Sequence, residues 1–229
     1  MIRSFLGPIE IFFSEKRDGD MGEMTVRESF FSKNGITAQK QLILEHGVRV
    51  LSSVTRAETW NADAVLFSSE SLLECGMIWM TVADCVPVVM WNPSSNMGAL
   101  VHAGWKSAWK KIHLKTLEQL CPDPNDRADL QVWIGPSIQD CCHKRTANDR
   151  MIQDPAWKYA VRYEKGMPFL SLQNGITKAL VERKVRSENI QSHGSCTCHL
   201  DSRFFSHRRF STVDQDLRGR MICGVRTDA

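Results

Sequence analysis

Residues 81 to 105 open on Thr81-Val82-Ala83-Asp84-Cys85-Val86-Pro87 and close on Gly98-Ala99-Leu100-Val101-His102-Ala103-Gly104-Trp105. Each piece is a short apolar run ending in a soft, titratable group, and runs of this length read as strands. Cys85 and His102 then stand at corresponding ends of neighbouring strands. His46 lies upstream in Leu44-Glu45-His46-Gly47, just before the apolar run Val48 to Val54. Two imidazoles and one thiolate are a three-ligand set that leaves a zinc ion one open position. The same cysteine and histidine also make a nucleophile and its base. The residue types alone leave both readings open.

Outward from this stretch, short alternating or apolar runs predict strands at 9–14, 48–54, 62–67, 77–82, 86–91, 98–102 and 130–135. Helical spacing is clearest over 106–120. There Trp105, Ala108, Trp109, Ile112, Leu117 and Leu120 fall on one face, and Cys121-Pro122-Asp123-Pro124 ends the run. Further helices are predicted at 24–34, 149–163 and 174–186, the last carrying Ile176, Leu180, Val181 and Val185 at three- and four-residue steps. Clusters of strands with helices between them predict an α+β fold: a single domain over residues 1–229, with a mixed β-sheet core flanked by helices. Pro155 and Gly166-Met167-Pro168 read as loop punctuation within it.

The bulk numbers bound the function. A chain of 229 residues can bury a full core without covalent staples. A net charge of +3, with no long run of like charge, argues against a nucleic-acid partner. No apolar stretch reaches the roughly 18 residues of a membrane span, and the N-terminus lacks the apolar core of a signal peptide. The expectation is a cytoplasmic protein whose eight cysteines are mainly reduced thiols or ligands.

The positions differ in what they offer. Cys85 by itself would be a small hydrophobe, and Asp84 beside it suits a supporting or capping role as well as a chemical one. After His102, small residues lead into the long helix, with Ser107 as a candidate N-cap. Free N–H groups there, with Lys106, would favour an anion such as phosphate. Arg208 and Arg209 read as strand neighbours facing opposite sides, so only one, taken as Arg208, would reach a pocket. Cys196-x-Cys198-His199 lacks a further ligand at a recognisable spacing. Cys141-Cys142 reads as a packed turn, since adjacent cysteines bridge poorly.

Several segments together resemble a known family. Ala83-Asp84-Cys85-Val86-Pro87, Val101-His102-Ala103-Gly104-Trp105, Ile134-Gly135-Pro136-Ser137-Ile138-Gln139-Asp140-Cys141-Cys142, Cys196-Thr197 and Phe204-Phe205-Ser206-His207-Arg208-Arg209 occur in that order. With His46-Gly47 and Asn61-Ala62-Asp63-Ala64-Val65-Leu66 they resemble the laccase-domain family, whose members are described as polyphenol oxidases, purine nucleoside phosphorylases or peptidoglycan editing factors. The resemblance runs from about residue 10 to about residue 222. It implies an α+β fold and a zinc site made by His46, Cys85 and His102, which would be the catalytic and metal-ligating residues. It also implies phosphorolysis of adenosine, inosine or guanosine, and deamination of adenosine, with purine nucleosides and phosphate as substrates. Lys106 and Arg208 are the substrate-side candidates. Lys106, Ser107, His143, His207 and Leu44 depart from the usual family residues, and Phe13 to Gly22 looks like a shortened substrate-side loop. The departures spare the ligands and bear on substrate choice.

Two rival chemistries follow from the same residues. A cysteine-dependent amide hydrolase acting on cell-wall precursors would use Cys85 as nucleophile and His102 as base. A copper-binding polyphenol oxidase is less well supported, because seven histidines are too few for a full multicopper site. Copper in place of zinc at the His2Cys set remains chemically allowed.

Overall fold

The computed structural model describes residues 1–52, 59–199, 203–212 and 219–227, and among these two six-stranded sheets pack face to face. The first comprises β1 (Ile2–Leu6), β2 (Ile9–Phe13), β3 (Gln39–Ile43), β5 (Thr59–Asn61), β7 (Met77–Val82) and β14 (Met221–Thr227), in the order β1-β2-β14-β7-β3-β5. The second comprises β4 (Val50–Leu51), β6 (Ala64–Ser68), β8 (Val86–Asn92), β9 (Met97–Ala103), β10 (Gln131–Ile134) and β13 (Ile190–Ser192), in the order β13-β10-β8-β9-β6-β4. Both sheets mix parallel and antiparallel pairs. The predicted α+β class holds, and the mixed sheet core is two sheets rather than one.

The alternation of side chains builds the layers. Along β7, Ile78, Met80 and Val82 enter the core between the sheets, while Met77 and Trp79 pack on the opposite side with Phe30 and Phe31 of α1 (Met24–Lys33). Along β8, Val89 and Trp91 face the inter-sheet core. Val86, Val88 and Met90 face the helices α4 (Ile112–Leu120) and α6 (Leu172–Glu182). A strand buried on both faces reads as a continuous apolar run, which is why β7, β8 and β9 stand out in the sequence.

Several elements differ from expectation for local reasons. The predicted 106–120 helix is two helices, α3 (Trp105–Trp109) and α4, because Lys111 adopts a left-handed conformation at φ 63°. The predicted helix 149–163 is α5 (Arg150–Gln153), a 3-10 segment Pro155–Ala160 and the strand β11 (Val161–Glu164), which pairs with β12 (Met167–Leu170). Proline disfavours helix at the residue before it, and Asp154 is extended and caps the following turn through Ala156 N–H. The strand predicted at 48–54 is only Val50–Leu51, and residues 53 and 54 lie outside the described residues. Arg208 and Arg209 lie on a helix, α7 (His207–Thr212), and not on a strand.

Candidate metal centre and adjoining pocket

The second sheet gathers the candidate ligands at one end through its register. The start of β8 pairs antiparallel with the end of β9, setting Pro87 opposite His102 and Val86 opposite Ala103. Cys85 immediately precedes β8, so it falls beside His102. The expectation of corresponding strand ends needs correction here. Cys85 follows β7, which lies in the other sheet, and its neighbour relation to His102 comes from the start of β8. The next strand, β6, sets Ala64 opposite Val101, bringing Asp63 to the same end. Asp63 C=O accepts His102 N–H at 2.7 Å.

Asp63 explains how His46, 39 positions ahead of Cys85, reaches the same point. Its fully buried carboxylate accepts His46 N–H at 2.9 Å and Gly47 N–H at 2.7 Å, and lies 2.9 Å from His102 Nδ1. One side chain therefore fixes the loop carrying the first histidine and the ring of the second. The loop needs that support, since His46 sits at φ 56°. A carboxylate on Nδ1 assigns the proton there and leaves Nε2 for a ligand or an acid–base role. The candidate ligand atoms of His46, Cys85 and His102 all lie within 4.8 Å of one another. The two imidazoles meet edge to face with centroids 4.9 Å apart. His102 is buried, Cys85 partly buried and His46 exposed, so the set opens to solvent on the His46 side.

Gly104 provides the space for this convergence. A Cβ there would lie 3.0 Å from Cys85 Sγ, 3.3 Å from His102 Cε1 and 3.5 Å from His46 Cδ2. Gly104 also caps α3, so the predicted cap at Ser107 is displaced. Ser107 lies inside the helix, its hydroxyl donating to the carbonyls of Gly104 and His102. With five residues, α3 is too short to present the anion site expected there.

The charges are coupled. Burial raises the cost of a Cys85 thiolate, but the neighbouring His102 charge and hydrogen bonds from both histidines outweigh it and bring the thiol down to about 7. Burial likewise disfavours His102 imidazolium, yet Cys85 and Asp63 raise the group to about 9. Without a cation the site therefore favours a thiolate–imidazolium pair near neutral pH. A divalent ion there would meet a thiolate already formed at Cys85 and would displace the proton from His102 Nε2, leaving two neutral imidazoles and a thiolate as donors. The donors, the carboxylate on the far ring nitrogen and the glycine-made space fit such an ion.

Two clefts meet at this point. One, of about 280 Å³, is bordered by Asp84, Cys85, Trp105, His143, Arg145, Arg208 and neighbouring apolar groups. The other, of about 480 Å³, lies between the sheets and includes Leu44, His46, Cys85 and His102. Cys85 and His207 border both.

The predicted substrate-side residues separate. Arg208 lines the smaller cleft, with its guanidinium also donating to Lys144 C=O at 3.2 Å. Lys106 lies over the Trp105 ring at 5.5 Å and borders a different groove with Trp109 and Asn148. Arg145 was not anticipated. It packs over Trp105 at 4.7 Å, pairs with Asp149 and lines the cleft with Cys85. Nothing in its local sequence distinguishes it from other surface arginines. His143 is buried and held neutral, pushed down to about 4 by burial and by Arg145 and Arg208. The 13–22 loop packs by main-chain bonds against Arg203 and Arg220.

Asp84 serves as a tie and not as a free acid. It sits at φ 79°, and its carboxylate accepts Thr197 Oγ1–H at 2.6 Å, Ser206 Oγ–H at 3.0 Å and Arg208 N–H at 2.7 Å.

Comparison with known proteins places the chain in a family. The YlmD purine nucleoside phosphorylase of Bacillus subtilis is 32% identical over 147 residues, covering 61% of this chain and 51% of that protein. The match thus spans about half the length of that relative. A protein named adenosine deaminase RL5, from an unknown prokaryotic organism, is 28% identical over 65% of this chain and 57% of its own length. The crystal structure of YlmD from Geobacillus stearothermophilus superposes with a TM-score of 0.78 at 22% identity, covering 97% of this chain and 93% of that one. It shares the fold. The family model described as multi-copper polyphenol oxidoreductase laccase matches residues 24–228, and the chain belongs to that family.

Proposed function

We propose that this chain is a zinc-dependent enzyme of purine nucleosides, carrying out phosphorolysis of adenosine, inosine or guanosine and deamination of adenosine. The observation that carries the reading is the convergence of His46, Cys85 and His102 on clefts flanked by an aromatic face and two arginines. The names of the relatives supply the substrate class.

Zinc held by His46, Cys85 and His102 would supply Lewis acidity to the reacting group. Asp63 holds His102 in one tautomer and fixes the His46 loop. Trp105 offers a flat surface, with Arg145 stacked on it, for a ring or a sugar face. Arg145 and Arg208 provide positive charge where phosphate would sit for attack on the sugar C1′. In deamination a proton must pass to the leaving amine. His207, bordering both clefts, is the group placed to carry it, because each Asp84 oxygen is already engaged.

The test incubates metallated wild type and Cys85→Ala with adenosine and with inosine, with and without phosphate. Free base plus sugar phosphate indicates phosphorolysis; inosine from adenosine without added phosphate indicates deamination. Both should be lost in Cys85→Ala. No product from fully metallated wild type would overturn the reading.

A second reading, a cysteine-dependent amide hydrolase, draws on the thiolate–imidazolium pair. In metal-free protein, Cys85 alkylation by iodoacetamide should lose half its rate as pH falls to about 7, where an ordinary thiol does so near about 8.5. Bound zinc should protect Cys85. If chelation abolishes turnover the zinc reading stands. If the chelated enzyme still turns over an amide, and alkylation stops it, the thiol reading replaces it. Copper chemistry is tested by metal analysis of protein purified without added metal.

A further inference from the structure

A separate group of cysteines lies on the far side of the turn that supplies Ile138 and His143 to the smaller cleft. After β10 the chain forms a short ladder with the 195–197 segment: Ser137 N–H donates to Ser195 C=O, and Thr197 N–H donates to Ser137 C=O. A tight turn follows, with Cys142 and His143 N–H groups both donating to Gln139 C=O. These bonds bring Cys141 and Cys142 against Cys196, and the three Sγ atoms all lie within 4.8 Å of one another. Cys141 Sγ and Cys142 Sγ are 3.7 Å apart. The thiol of Cys198 meets Cys142 and Ser206 at the same cluster.

We infer that Cys141, Cys142 and Cys196 form a second metal site, for a thiophilic cation of the zinc type, with Cys198 as the neighbouring fourth sulfur. Tetrahedral zinc with Zn–S bonds of about 2.3 Å spaces its sulfurs by about 3.8 Å, close to the observed Cys141–Cys142 separation. Gln139 N–H points at Cys196 Sγ at 3.4 Å, the kind of donor that stabilises a metal-bound thiolate. A disulfide fits less well. The adjacent pair has poor bridging geometry, and its sulfurs lie far beyond the bond length of about 2.05 Å. Sulfur is a weak hydrogen-bond partner, so clustered thiols gain little from one another. Burial, then mutual repulsion of the charged forms, pushes the Cys141 and Cys142 thiols up, and burial raises Cys198. A cation reverses that balance by taking the protons' place.

The ion would clip the 137–142 turn to the 195–198 segment. Those two segments also support the cleft, through Ile138 and through Thr197 on Asp84. The site shares no ligand with the His46–Cys85–His102 set.

Cobalt(II) titration of reduced, full-length Cys85→Ser protein tests this, because that variant has lost the only thiolate of the first set. A thiolate-to-cobalt charge-transfer band saturating at one ion is expected, and it should be lost in Cys85→Ser/Cys196→Ser. Native mass spectrometry should find two zinc ions on wild type and one on Cys196→Ser, the retained ion reporting an intact fold. Absence of the band in Cys85→Ser at saturating cobalt, or its persistence in Cys85→Ser/Cys196→Ser, would overturn the inference. So would a disulfide within the cluster of protein isolated anaerobically without added oxidant.

Discussion

At the scale of single residues, the site is held by groups that carry no chemistry of their own. Asp63 contacts both histidines, yet in sequence it is one acid among many; its position before an apolar strand only gains meaning once β6 pairs with β9. Gly104 acts through what it lacks. Its φ of −68° and ψ of 166° suit any residue, so an alanine there incurs no backbone strain and tests space alone. The added Cβ would meet Cys85 Sγ at 3.0 Å, closer than ordinary contact, and Sγ must shift by a few tenths of an ångström. We expect Gly104→Ala to weaken zinc binding at this set by about tenfold or more, since supporting groups commonly carry 10–100-fold in affinity. A competition titration with a chromophoric chelator measures it. Unchanged affinity with an unchanged fold would mean that the glycine does not shape the site.

At the scale of elements, legibility followed burial. The strands β7, β8 and β9 are apolar on both faces, so their runs are continuous and their limits were read nearly to the residue. By contrast β3, with the sequence Gln-Lys-Gln-Leu-Ile and one buried residue, carries no such signal, although it leads directly to His46. Cys85 and His102 were legible as a pair because each closes an apolar run. His46 was a candidate from its residue type, but only the family resemblance joined it to the other two, because its placement is a long-range effect of Asp63. Arg145 was invisible, because its role depends on Trp105 lying across the cleft. The 106–120 segment failed in an instructive way. Its apolar spacing continues through the break, so periodicity could not reveal the left-handed Lys111 between α3 and α4. That conformation costs a residue with a Cβ about 1–2 kcal/mol, while glycine adopts it freely at some entropic cost. Lys111→Gly should therefore stabilise the fold by about 1 kcal/mol, raising Tm by about 2–4 °C for a chain of this size. The side chain is exposed, so little packing is lost. A lower Tm would show that the lysine side chain matters more than its backbone strain.

At the scale of the whole molecule, the clefts exist because two sheets packed face to face must part at their ends, and chain segments remote in sequence close the opening. β7 lies in one sheet and β8 in the other, so the Ala83-Asp84-Cys85 link passes between them. Asp84 then anchors Thr197, Ser206 and the first turn of α7, joining residues 113 to 124 positions away. A single buried carboxylate thus secures the C-terminal wall to the link that carries Cys85. Asp84→Asn tests this without disturbing the backbone, because asparagine also tolerates the left-handed region at φ 79°. The amide oxygen can keep Ser206 and Arg208 N–H, but its NH2 then faces Thr197 Oγ1, which must turn from donor to acceptor, and all three bonds lose the carboxylate charge. Hydrogen bonds to a charged group are worth about 1.5–3 kcal/mol, so we expect a loss of that order in urea unfolding at unchanged slope. The midpoint should fall while zinc at the His46–Cys85–His102 set is retained, because Asp63, not Asp84, orients those ligands. An unchanged midpoint would show that the C-terminal wall is secured elsewhere. Loss of zinc without loss of stability would instead place Asp84 within the support of the metal centre.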